Sequence, residues 1–96
     1  MNLTDEIIEE IKNLSSLLLE PKEISILVGI DTKKFLFEIE QQKGPVYKAY
    51  FKGKTETKKA IHENVIKMAK HGSPQAEELA KEFIFKQHLA EKRARK

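Results

Sequence analysis

The stretch Pro21 to Gln42, PKEISILVGIDTKKFLFEIEQQ, constrains this chain more than any other, because its centre has the chemistry of a hinge between two short helices. Gly29 stands between Val28 and Ile30, and Asp31 follows at once. Ser25 lies one helical turn before the glycine, and Phe35 follows it at the start of the next apolar run. A small side chain at Ser25 lets two backbones approach and Gly29 permits a turn with positive φ. Val28, Ile30 and Phe35 can then fill the angle between the helices. Asp31 or Thr32 is placed to cap the second helix by accepting from its free N–H groups. A helix-turn-helix has this pattern, and its second helix is a candidate for the DNA major groove. Helical hairpins unrelated to DNA have it too.

The flanking segments read as helices. Leu3, Ile7, Ile8, Ile11, Leu14, Leu17 and Leu18 recur at helical spacing behind the start signal Thr4-Asp5-Glu6, which predicts a first amphipathic helix with an acidic outer face. Pro21 interrupts it and suits the first turn of a second helix, with Glu20 as cap and Ile24, Leu27 and Val28 as apolar face. A third helix is expected from Thr32 to Gln42 with Phe35, Leu36 and Ile39 inward. Gly44 and Pro45 then end one helix and open a fourth, from Pro45 to His71, with Tyr47, Tyr50, Phe51, Ile61, Val65, Met68 and Ala69 mostly on one side. Gly53 falls inside it, at about 1 kcal/mol relative to alanine, and marks a candidate bend. Gly72 closes the helix, and Ser73-Pro74 caps and opens a last one carrying Ala76, Leu79, Ala80, Phe83, Ile84 and Leu89, which dissolves into Lys92-Arg93-Ala94-Arg95-Lys96.

No strand pattern or repeat is present, so the expected fold is all-α: an N-terminal helix plus helix-turn-helix, then a long helix and a C-terminal helix forming a helical hairpin. Ninety-six residues suit a single helical domain, with 1–43 as the helix-turn-helix part and 44–96 as the hairpin, the expected oligomerisation part.

Charge is distributed unevenly. Through Asp31 the acids Asp5, Glu6, Glu9, Glu10, Glu20, Glu23 and Asp31 face only two bases, Lys12 and Lys22; the whole surplus behind the net charge of +3 lies after the turn. A basic half turned to a polyanion would suit DNA, and solvated helical faces account for the same asymmetry equally well. The bases are almost all lysine, a point charge fitted to phosphate rather than to bidentate reading of guanine, so any DNA binding should be backbone-dominated and salt-sensitive. Cysteine is absent, which excludes disulfides, thiolate metal sites and cysteine nucleophiles. No apolar run reaches the roughly 20 residues that span a bilayer, and the start lacks the basic-then-apolar order of a secretory signal, so a cytoplasmic location and no membrane partner are expected.

In the order of its parts the chain resembles small helix-turn-helix proteins of bacteriophages and prophages, in particular the small subunit of phage terminase. The matching residues are Ile24-Ser25-Ile26-Leu27-Val28-Gly29-Ile30-Asp31, then Tyr50-Phe51-Lys52-Gly53-Lys54, then Met68-Ala69-Lys70-His71-Gly72-Ser73-Pro74-Gln75-Ala76, within about Glu20 to Gln87. The resemblance implies a DNA-recognition component of a genome-packaging motor in a bacterial host cell. Its implied partners are double-stranded DNA, further copies of itself in a ring, and a large ATPase–nuclease subunit. The chain departs from the family pattern at Leu36, Phe37 and Glu38, where polar and apolar positions normally alternate differently. Two rival readings are a phage or bacterial helix-turn-helix transcription regulator, dimeric on a palindrome, and a helical protein-interaction module without DNA binding.

The candidate DNA-binding residues are Thr32, Lys33, Lys34 and Phe37 at the start of the third helix, Lys43 in the following turn, and Lys48 and Lys52 on the fourth. Phe37 can touch a thymine methyl, although completion of the core is its preferred role. Lys59 falls near the Lys48–Lys52 stripe, with Lys54 and Lys58 at a neighbouring angle, and a soluble face interleaved with Glu56 and Glu63 is the preferred role for that stripe. His62, His71 and His88 lack metal spacing; His62-Glu63 begins like a zinc-protease helix, but the second histidine is missing where it is required. There is no phosphate-binding glycine loop, no nucleophile–base pair and no carboxylate cluster, so neither catalysis, a metal nor a cofactor is expected. Phe83, Ile84 and Phe85 in succession cover more than one face of the last helix and point to a subunit contact.

Overall fold

The computed structural model describes residues 3–95. Among them there are helices and no strand: α1 (Asp5–Ser16), α2 (Pro21–Val28), α3 (Thr32–Glu40), α4 (Pro45–Lys70) and α5 (Pro74–Ala94). No helix is long and apolar enough to cross a membrane.

The ends of the helices follow local chemistry. Thr4 caps α1, its hydroxyl accepting from the Ile7 N–H at 3.1 Å. Pro21 opens α2, and the Glu23 carboxylate accepts from the Glu20 N–H at 2.9 Å. Gly29 ends α2 in the left-handed region (φ 76), where its N–H donates to Ile26 O and that of Ile30 to Ser25 O. Asp31 caps α3 through the Lys34 N–H (3.2 Å), and Ser73 caps α5 through the Ala76 N–H (3.3 Å).

Three boundaries differ from expectation. The first helix stops at Ser16: Leu17 is its C-terminal cap, Leu18 adopts φ 63, and both side chains are exposed. The third ends at Glu40, because Gln42 also turns left-handed ahead of Gly44. The last does not dissolve at the basic end but runs through Lys92 and Arg93 to Ala94, where cations oppose the negative end of the helix dipole.

Contacts divide the chain into two compact units between Lys59 and Ala60, inside α4 rather than at the turn before it. In the first unit each helix contributes to one core: Ile11 from α1, Ile24 from α2, Phe35 from α3, and Val46, Ala49 and Tyr50 from α4. Phe35 meets Tyr50 edge-on, with ring centroids 6.2 Å apart. Burial pushes the Tyr50 phenol above its ordinary pKa.

At Gly53 the backbones of α1 and α4 approach closely. A Cβ built there would stand 2.2 Å from the Lys12 carbonyl oxygen and 3.0 Å from Ser15 Cβ. The Ser15 hydroxyl donates to the Tyr50 carbonyl, and the Thr57 hydroxyl to the Ser16 carbonyl. The helix continues unbroken through Gly53, so the glycine serves a crossing of two backbones, not an interruption.

In the second unit the end of α4 and the start of α5 are joined through His71, Gly72 and Ser73. The His62 and Phe83 rings stack almost parallel at 3.6 Å. Here the sequence expectation overestimated burial: Ile61, Met68, Leu79, Ile84 and Leu89 are exposed. The same correction applies to Leu27 and Leu36 in the first unit.

Candidate nucleic-acid interface

The start of α3 is positioned by its join to α2. Ser25 is fully buried, and its Oγ donates to the Lys22 carbonyl at 2.8 Å while sharing a second hydrogen bond of 2.8 Å with Thr32 Oγ1. That pair fastens the first residue of α3 to the middle of α2. Thr32 is half-buried, and its hydroxyl, through Ser25, holds the start of α3 against α2.

Lys33, Lys34 and Phe37 lie on the side of α3 opposite Phe35, and with Glu38 they line one shallow depression of about 380 Å³. Phe37 is 59% exposed, so the core role preferred for it from sequence is wrong. The neighbouring Phe35 takes that role, because only one of two aromatics spaced two residues apart on a helix can face the same interior. Phe37→Ser is accordingly expected to change unfolding free energy by no more than about 0.5 kcal/mol, measured by denaturant titration. A loss of core size would return Phe37 to the interior.

The electrostatics of this patch are mixed. Lys33 and Lys34 are exposed and make no ion pair among the described residues. Both stand in the first turn of α3, where free backbone N–H groups add positive potential. Asp31 brings a carboxylate to that end and Glu38 lines the same depression, so the local field is weaker than two lysines alone would set.

Lys43, in the turn between α3 and α4, is exposed. Lys48 and Lys52 are exposed one turn apart on α4, on the side away from Val46, Tyr50 and Gly53. Lys52 borders a separate depression with Phe51, Thr55, Glu56 and Lys59 that shares no residue with the α3 patch. Lys33, Lys34 and Phe37 are thus brought together, and the α4 lysines form a second surface. Lys54, at its neighbouring angle, lies over Phe51 (5.3 Å to the ring centre) and Tyr50 (5.7 Å).

Sequence reasoning noticed how apolar the third helix is but turned Leu27 and Leu36 inward and gave Ile26 no place. In the structure Ile26 and Leu27 of α2 and Leu36 of α3 are all exposed. The signal was present in the run Ile24 to Val28, which holds more apolar residues than an eight-residue helix can turn to one side. No group of three or more metal-ligating side chains occurs among the described residues. No protein-family model matches this chain, and no curated protein or solved structure is found to be similar to it.

Proposed function

We propose that the chain binds double-stranded DNA through the outer face of α3, in the manner of a helix-turn-helix protein of phage or prophage origin, and that it is a terminase small-subunit-like component recognising viral DNA for packaging. The observation that carries this proposal is the exposed trio Lys33, Lys34 and Phe37 on the helix that follows the left-handed Gly29 turn. Two exposed lysines at a helix start suit phosphate contact, and an exposed aromatic beside them suits an apolar base edge. Lys43, Lys48 and Lys52 add further exposed positive charge, with no ion pair among the described residues. The packaging role is supported by the resemblance across Tyr50–Lys54 and Met68–Ala76.

The test is a DNA titration at several salt concentrations. Wild type is expected to lose affinity steeply as salt rises. Lys33→Ala with Lys34→Ala should weaken binding on the order of tenfold and lower the salt slope by about two, one per lost phosphate contact. Equal binding by that variant would remove these lysines from the interface. Co-purification with a large ATPase–nuclease subunit would separate packaging from transcriptional regulation.

A second reading, a helical interaction module without DNA binding, is favoured by one observation: Ile26, Leu27, Leu36 and Phe37 are all exposed around the same turn. Absence of any salt-dependent DNA binding would decide for it.

A further inference from the structure

Both arginines of the chain, Arg93 and Arg95, stand at the C-terminal end of α5. Two turns before them is Phe85, 62% exposed and the most exposed aromatic among the described residues. One side of this end gathers a compact patch. Phe85 and Leu89 lie one turn apart in its middle, Lys86 and Arg93 two turns apart along one edge, and Lys92 on the other edge, all exposed. Ala76, Ala80 and Phe83 occupy the opposite side of the helix. No acid falls inside the patch: Glu82 borders its N-terminal end, and Glu91 lies on another side. Lys86, Lys92 and Arg93 make no ion pair among the described residues.

Two plainer roles do not account for this arrangement. Cations in a last helical turn oppose the helix dipole, but that effect fades within the turn and leaves Lys86 and the exposed ring unexplained. A helix that lies on a membrane separates its charged and apolar faces, whereas here cations flank the aromatic on both sides. Cations around an exposed ring fit a strand that offers phosphates and unstacked bases together. A duplex does not, since its bases are stacked on one another and present only their edges in the grooves. Arginine binds phosphate bidentately and stacks on planar groups, and both arginines of the chain are at this end.

We propose that the outer side of α5 from Phe85 to Arg93 binds single-stranded nucleic acid without sequence preference. Phe85 stacks on a base, Leu89 packs beside it, and Lys86, Lys92 and Arg93 hold the neighbouring phosphates. Lys86 and Arg93 are about 10 Å apart along the helix axis, far enough to hold separate phosphates. The site shares no residue with the α3 patch and does not depend on duplex recognition there. Ile84 lies outside it, so a subunit contact through that residue is compatible with it.

Fluorescence anisotropy of the whole chain tests it, with end-labelled thymidine DNA and uridine RNA homopolymers of about 20 nucleotides and a duplex of the same length. Both single strands are expected to bind, and the tighter of the two identifies the strand as DNA or RNA. Phe85→Ala should weaken single-strand binding about fivefold or more with the salt slope unchanged, because it removes stacking and no charge. Lys86→Gln with Lys92→Gln and Arg93→Gln should weaken it and lower the slope by about 2, roughly 0.7 for each lost single-strand phosphate contact. Lys33→Ala with Lys34→Ala should leave single-strand affinity unchanged. The substituted positions are exposed, so circular dichroism should show the same helical content in every variant. Absence of single-strand binding, equal binding by Phe85→Ala, or an equal loss on the duplex when Phe85 is replaced would each overturn the proposal.

Discussion

Gly53→Ala is expected to destabilise the N-terminal unit by about 3 kcal/mol, at the upper end of overpacking effects. Helix propensity predicts the opposite sign, since alanine is better than glycine inside a helix by about 1 kcal/mol. Geometry decides between them. The new methyl would stand 2.2 Å from the Lys12 carbonyl oxygen and 3.0 Å from the Ser16 nitrogen, both backbone atoms of a helix that cannot bend away cheaply. Relief requires α1 and α4 to separate, which also breaks the hydrogen bonds from Ser15 to the Tyr50 carbonyl and from Thr57 to the Ser16 carbonyl. For a domain of this size, each kcal/mol shifts the melting temperature by roughly 4–8 °C, so the thermal midpoint followed by circular dichroism should fall by more than about 10 °C. An unchanged or higher midpoint would mean that the two helices do not cross there.

Phe35→Ala should cost about 3–5 kcal/mol, the range for deleting a fully buried aromatic. Phe35 has no exposed surface and supports Tyr50 edge-on, so the cavity would open beneath the ring that joins α3 to α4. Total stabilities of about 5–15 kcal/mol leave little reserve after such a loss. Leu36→Ala and Phe37→Ala, on the outer side, should change stability far less, and a denaturant series over the three positions would show the contrast. Tyr50 supplies an independent readout. Its pKa is raised by desolvation, so its contribution is present below the ordinary tyrosine value and is lost as pH rises through the higher folded one. Opening the cavity should bring the phenol back toward its ordinary value in an ultraviolet titration.

Much of the fold is legible in the chain because its punctuation is local. Thr4, Gly29, Asp31, Gly44, Pro45 and Ser73-Pro74 act through their own backbones and nearest N–H groups, so their meaning survives without tertiary context. The all-α class, the left-handed turn at Gly29 and the restart at Pro74 were determined there. Only the tertiary structure decided what depends on neighbours distant in sequence. Gly53 reads as a weak point in a helix until Lys12 and Ser15 are seen against it. Phe37 passes for a second core aromatic until the core is seen filled by Phe35 and Phe37 left in solvent. Thr32 reads as a helix start until Ser25 is seen sharing a hydrogen bond with its hydroxyl. Periodicity states that a helix has an apolar side; burial depends on whether another element arrives to cover it. On α5 the inner side meets α4, where Phe83 stacks on His62, while Ile84, Phe85 and Leu89 stay exposed among the described residues.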